Sequence, residues 1–476
     1  MLYIDRDSDL PLYEQIYAAF VREILAGALA SGDRLPATRI LAEELSVGRN
    51  TVDKAYQQLA AEGYIESRIG SGFTVNEIPL QLDMGTPAHS FEPQAEPSPR
   101  KAARYDFAYG SVDNAVFPHD QWRKSVNNAL TAMELDPDIQ YPCRQGEPAL
   151  RREIARYLQR SRGVVCSPDQ MVITCGQQHS MEMIANIFEN TGKRFAMEEP
   201  GYDGIRAIFA NHRFRLCPVP VEPDGISMKA VRKLDADLLY VTPSHQFPTG
   251  AVLPIGKRRQ LLSWAQETNT YIIEDDYDSE LRYHTNPIPA LQSLDIHDRT
   301  IYTGTFSKSL APSMRTAYIV FPKSLVPAYK AYYQRYNAQV PPLHQLALAD
   351  FIASGNYERH INRLRTIYRK KQAALLSGLE TIFGDSISVC GGGAGIHLLL
   401  NVKSPFSQNQ LIERAESIGI RFYSTEVLYI EPENCPRSQL LLGFPTIPVE
   451  AFTGILEDLK QVWEIKIETA PALSDQ

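Results

Sequence analysis

The sequence predicts two folded parts: an N-terminal winged helix-turn-helix, mainly α with a β wing, and an α/β domain with a largely parallel central sheet. Three observations carry this. Residues 32–75 hold two helical patterns split by a tight turn at 46–48 and followed by a Gly-rich hairpin pattern. Residues 76–104 contain five prolines and little periodicity, as a semi-extended linker would. Beyond them, in residues 105–476, apolar strand-like runs alternate with helical patterns.

Bulk properties bound the reading. The chain has 476 residues, enough for roughly two to four domains. Hydrophobic residues at 44% and charged residues at 22% are ordinary for a globular chain in water. A net charge of −8 gives no general attraction to nucleic acid, so any DNA binding must come from a local pattern. No run of about 18 apolar residues is present, so no transmembrane helix is expected. The opening MLYIDRDSDLPLYEQ has no basic stretch followed by an apolar one, so no secretory signal is expected. The closing APALSDQ reads as a frayed tail. The six cysteines show no CxxC spacing, which points to reduced thiols and a cytoplasmic protein. No metal site is expected.

In residues 1–75, Leu41, Ala42 and Leu45 fall at helical spacing before the turn. Val52, Ala55, Tyr56 and Leu59 then share one face of a second helix. That helix starts polar, with Arg49, Asn50, Thr51 and, a turn later, Lys54. In helix-turn-helix geometry such residues reach base edges. Arginine suits guanine and phosphate, asparagine suits adenine, and threonine suits phosphate. YIESRIGSGFTV, residues 64–75, reads as two strands with a Gly-rich tip at 70–72 that can approach a phosphate backbone beside Arg68. Residues 1–75 hold 7 Lys and Arg against 11 Asp and Glu, a net of −4, so pattern rather than charge carries this expectation.

In the second part, MVITCG (171–176), LLYVTP (238–243), YIIEDDY (271–277), IYTGTF (301–306) and TAYIVF (316–321) read as strands. The chemistry centres on GTFSKSLAPSMR, residues 304–315, which carries Lys308. A lysine that forms a Schiff base must sit where its pKa is depressed. If its carbonyl partner is pyridoxal phosphate, an acid must keep the pyridine nitrogen protonated, and Asp275 is placed for that. Tyr277 could donate to the phenolic oxygen. A strand, a glycine and a helix start at Gly176, Gln177 and Gln178 make an anion site. Thr305, Ser307 and Arg315 add hydroxyls and a charge for the phosphate. Tyr202 follows a Pro-Gly turn and could stack on the ring. His245 and Gln246, in TPSHQFPTG, sit in a strand-end loop that could touch the cofactor.

These residues carry two resemblances. GDRLPATRILAEELSVGRNTVDKAYQQLAAEGYIESRIGSGFTV is similar to the GntR family of winged-helix repressors through both helices and the wing. That implies phosphate and base contacts by Thr38, Arg39, Arg49, Asn50, Thr51 and Lys54, and wing contacts by Arg68 and Gly72. It also implies dimers on double-stranded operators with paired half-sites. Residues 105–465 resemble the fold-type I aminotransferases, in the order Tyr141, Gly176, Tyr202, His245, Asp275, Tyr277, Lys308, Arg315. In that class the early tyrosine reaches the neighbouring subunit's phosphate, so Tyr141 implies a homodimer with shared sites. GGGAGIHLLL (391–400) resembles the start of the class's small C-terminal domain. The fusion resembles the MocR-type regulators, the GabR-like branch. It implies a pyridoxal-phosphate-dependent transcription factor, paired head to tail, that senses a small effector through the Lys308 aldimine.

One departure stands out. Aminotransferases of this class bind a substrate carboxylate with an arginine near the C-terminus, and QLLLGFPT (439–446) holds Leu441 in its place. Arg437 is close by but out of register. The expected effector is amino-acid-like, an amine or pyridoxal phosphate itself, and the missing arginine weighs against an ordinary amino acid and toward effectors with no carboxylate to clamp. The alternative is a catalytically active pyridoxal-phosphate-dependent aminotransferase; the regulator itself is expected to show at most partial or weak transamination.

Overall fold

The structure, a computed structural model, describes residues 4–6, 8, 10–68, 72–78, 103–135, 142–189, 192–283 and 288–465. Helix α1 (Leu12–Leu25) buries Ile16, Phe20 and Ile24, one residue per turn on one side. α2 (Thr38–Glu44) is short and buries Leu41 and Ala42. α3 (Arg49–Ala61) starts at Gly48 and buries Val52, Ala55, Tyr56 and Leu59, the face that the sequence spacing predicts. Between them Ser46 takes φ +53, which closes the turn tightly enough for two helices to share one core. Tyr56 is the centre of that core. Its ring meets Phe20 and Phe73 edge-on, with centroids 5.6 and 5.1 Å away, and its hydroxyl donates to the Pro36 carbonyl at 3.0 Å. β1 (Ile65–Arg68) and β2 (Gly72–Val75) pair antiparallel, with Arg68 opposite Gly72. Residues 69–71, most of the expected wing tip, lie outside the described residues.

By packing the chain divides into two units, Met1–Arg100 and Lys101–Gln476. The second opens with β3 (Tyr105–Asp106). Its main sheet is built from β4 (Met171–Thr174), β5 (Arg194–Glu199), β6 (Arg215–Glu222), β7 (Gly225–Ile226), β8 (Leu238–Val241), β9 (Tyr271–Asp276), β10 (Thr300–Thr305) and β11 (Ala317–Val320). The spatial order is β4-β11-β10-β9-β8-β5-β6-β7. β6, β5, β8, β9 and β10 run parallel, while β11 is antiparallel to both β10 and β4. β4, β5, β8, β9 and β10 therefore all end at one edge of the sheet. Apolar strands such as Leu238–Val241 are buried throughout, as a sheet covered on both faces requires.

A smaller antiparallel sheet follows, from β12 (Ile387–Cys390), β13 (His397–Val402), β15 (Tyr423–Ser424) and β16 (Gln439–Gly443). Between its members β14 (Ile420–Arg421) pairs in parallel with β3, tying the start of this unit to its end. The 28-residue helix Asn356–Phe383 joins the two sheets and shares a core with both. Among the described residues no helix is long and apolar enough to cross a membrane.

Candidate functional site

Ligands of open α/β sheets bind where parallel strands end. Here the strand-end edge holds a cavity of about 190 Å³ lined by Gln177, Gln178, Tyr202, Asp275, Tyr277, Thr305, Ser307, Lys308 and Arg315. Every one of these is a residue singled out from the sequence. The topology explains the convergence, since each lies at or just after the end of β4, β5, β9 or β10, apart from Arg315 just ahead of β11.

Lys308 is half-buried, and burial lowers its pKa to about 8, with Asp278 and Asp275 opposing the shift. Its ammonium lies 4.5 Å from the centre of the Tyr109 ring. Gly110, at φ +89, lets it in, because a Cβ there would stand 2.4 Å from Nζ. The turn after the lysine is held from behind by the long helix. Tyr357 donates to Ser309 Oγ at 2.9 Å, and His360 Nε2 meets the Ser309 carbonyl at 2.9 Å.

Asp275 is 4% exposed at the end of β9. Tyr240 donates to its Oδ2 at 2.5 Å, while its buried Oδ1 has no hydrogen-bond partner. Burial raises its pKa to about 7, against the Tyr240 bond. An unpaired buried carboxylate oxygen facing a cavity is costly unless a ligand completes it.

The opposite requirement, a place for an anion, is met at the helix Gln177–Ile187. Gly176 caps it at φ +91 with no side-chain cap, leaving its first N–H groups for a ligand. Arg315 packs against Gly176, where a Cβ would lie 2.7 Å from Nη2, and donates to the Cys175 carbonyl at 3.1 Å. Thr305 donates to Ser307 Oγ at 3.0 Å beside it.

Some expected residues are employed differently. His245 and Gln246 do not line the cavity. Gln246 donates to the Pro200 and Phe247 carbonyls and accepts from Thr249, which builds the loop. His245 Nδ1 meets Asp278 at 2.9 Å. Tyr277 donates its proton to the His245 carbonyl at 3.0 Å. Candidate ligand atoms of His245, Asp278 and His397 lie within 4.8 Å of one another, with His245 Nε2 and His397 Nδ1 unpaired. Tyr141 lies outside the described residues. Leu441 sits in a buried apolar cluster with Leu399, Phe247, Tyr277 and Leu428, whereas Arg437 is exposed and away from the cavity lining. The sequence reading missed Tyr109, Gly110, Tyr240, Thr242, Phe247 and Pro312, of which all but Gly110 line the cavity.

In the first unit, Arg49, Asn50 and Lys54 are exposed at the start of α3, and Thr51 is half-buried. Thr38 and Arg39 begin α2. Arg39 pairs with Glu43 at 3.2 Å and Arg49 with Asp53 at 3.5 Å, both exposed i,i+4 pairs that are weak enough to yield to phosphate. Lys54 Nζ lies 3.6 Å from the centre of the Tyr13 ring. Gly72 takes φ +84 with open space around it. The side chain of Arg68 lies outside the description.

Residues 12–75 match the bacterial regulatory proteins of the gntR family, and residues 110–437 match aminotransferase class I and II. The chain is 33% identical to the probable rhizopine catabolism regulatory protein MocR of Rhizobium meliloti, covering 99% of this chain and 98% of that one. It belongs to the MocR-type transcriptional regulators. It is also 38% identical to the uncharacterized HTH-type transcriptional regulator YdeL of Bacillus subtilis, over 97% of this chain and 99% of that one. The kynurenine aminotransferase of Pyrococcus horikoshii superposes with a TM-score of 0.68 at 23% identity, covering 75% of this chain and 90% of that one. That likeness places the fold of the second unit. As in other regulators of this type, the DNA-reading module and the aminotransferase fold share one chain.

Proposed function

We propose that this regulator binds pyridoxal phosphate at Lys308 and uses the aminotransferase-like unit to sense a small effector that changes its grip on DNA. The observation that carries the reading is one cavity that holds both a lysine of lowered pKa and the unpaired buried Oδ1 of Asp275. The donor set fits the cofactor. Arg315 and the free N-terminus of the 177–187 helix would hold its phosphate, Asp275 its ring nitrogen, and the Tyr202 ring one of its faces. When bound, it supplies a carbonyl that reacts with amines and a ring that draws electrons.

The chain's own residues do the rest. Burial keeps part of the Lys308 population neutral near pH 7, and a neutral amine is the nucleophile. Tyr109, Tyr202 and Phe247 line the cavity with aromatic surface. Among the described lining residues Lys308 and Arg315 are the cations, and both are assigned to the cofactor. This favours an effector without a carboxylate to be clamped: an amine, or pyridoxal phosphate itself. The effector must bind the two conformations of the regulator unequally to shift its DNA affinity. The reading includes a cytoplasmic homodimer, paired head to tail, on operators with two half-sites.

The test is an absorbance spectrum of purified protein with added pyridoxal phosphate, for wild type and Lys308→Ala. Visible absorbance that depends on Lys308 supports the reading. A wild-type protein that never takes up the cofactor refutes it and leaves the fold as a scaffold. Sustained turnover of an amino donor with a keto-acid acceptor would establish the enzyme alternative instead.

A further inference from the structure

We propose that Tyr240 is the positioning residue that turns Asp275 toward the cavity. Its hydroxyl ties down one carboxylate oxygen and leaves the other to meet a protonated ring nitrogen. This rests on the cofactor reading above.

The placement follows from register. Tyr240 on β8 pairs with Ile273 on the parallel strand β9. Asp275 is two residues further along, so its side chain leaves the same face of the sheet as Tyr240. Both are almost wholly buried, Tyr240 at 2% and Asp275 at 4% exposed. The O–H···O distance of 2.5 Å is in the range of bonds to an ionised carboxylate. A bond to the charged form opposes the burial that favours the neutral one. Gln177, the nearby amide, spends one Nε2 donor on Thr303 Oγ1 at 2.7 Å and favours the charged form of Asp275 less than Tyr240 does. With Oδ2 taken, Oδ1 is the oxygen left for a donor in the cavity. Tyr240 thus fixes the orientation of the acid and favours its charged form against burial, its own hydroxyl being spent on Oδ2.

The experiment compares pyridoxal phosphate with its carbocyclic analogue, in which a carbon replaces the ring nitrogen. Aldehyde and phosphate are unchanged. Wild type should prefer the cofactor over the analogue, and Tyr240→Phe should reduce that preference about tenfold, the effect of one charge-assisted bond. In Asp275→Asn the preference should be lost, and adding Tyr240→Phe should change nothing more. Equal weakening toward both ligands would show a merely structural tyrosine and overturn the proposal. So would an unchanged preference in Tyr240→Phe while wild type still discriminates. If Tyr240→Phe fails to fold, Tyr240→Met, smaller and adaptable in a packed site and without a hydroxyl, carries the same comparison. A wild type that binds neither ligand would sink the cofactor reading itself, a result distinct from the other two.

Discussion

Gly110→Ala should uncouple the cofactor from this regulator without unfolding it. Gly110 sits at φ +89, and a Cβ there would lie 2.4 Å from Lys308 Nζ and 3.8 Å from its Cε. Non-bonded carbon and nitrogen need about 3.5 Å, so Nζ must retreat by about 1 Å. The Tyr109 ring, centred 4.5 Å from Nζ, limits that retreat. The backbone adds a strain on the order of 1–2 kcal/mol for an L-residue in this region. A displacement of about 1 Å in a reacting group can cost on the order of a hundredfold, so a loss of at least about tenfold in cofactor affinity is expected. The assay is a titration with pyridoxal phosphate followed by visible absorbance. Gly384→Ala is the control: Gly384 also has positive φ, +52, but nothing lies within 4 Å of the added carbon. It should carry the strain and keep the cofactor. Unchanged cofactor affinity in Gly110→Ala would refute the placement of Lys308 against this glycine.

Three further outcomes are expected. Arg49→Ala should weaken specific DNA binding about tenfold or more, and if the lost contact is to phosphate the log–log salt slope should fall by about 1; normal affinity would disqualify α3 as the reading helix. His360 is held neutral, because burial lowers its pKa from 6.5 to about 4 against its bond to the Ser309 carbonyl. The unfolded chain therefore takes up this proton first. The stability that His360 contributes is full above pH 6.5 and is lost toward pH 4, on the order of 3 kcal/mol in all. His360→Gln should flatten the stability profile in that window, measured by urea unfolding at several pH values. Arg162 donates to Asp276 at 2.7 Å with both side chains almost wholly buried. Removing it takes the countercharge from a buried carboxylate to which Tyr302 still donates, so Arg162→Ala should cost about 3–5 kcal/mol in the same assay.

How far the sequence reached depends on the range of the interaction involved. The strand runs at 171, 238, 271, 301 and 316 were legible because a covered sheet needs unbroken apolar segments. The α3 face was legible because Val52, Ala55, Tyr56 and Leu59 obey a helical period. Lys308, Asp275 and Arg315 stood out because each lies at the end of a strand or beside a turn, with neighbours that suit one chemistry. Gly110 did not, since its partner is Lys308, far away in sequence, and only the folded chain brings them together. Tyr240 read as one more apolar strand residue until the register set it beside Asp275. Gln246 looked like a ligand contact because polar loop residues often are, but the loop's own carbonyls claim its amide. Nor does the alternation of strands reveal that β11 runs against its neighbours.

The central claim is that chemistry at Lys308 changes DNA binding. The direct measurement is the affinity of the full-length regulator for its own promoter DNA by fluorescence anisotropy, with and without pyridoxal phosphate, in wild type and Lys308→Ala. The account predicts that the cofactor shifts wild-type affinity severalfold, a coupling on the order of 1 kcal/mol or more, and leaves the variant unmoved. Equal affinities in wild type with and without the cofactor, and in the presence of amines, would contradict it.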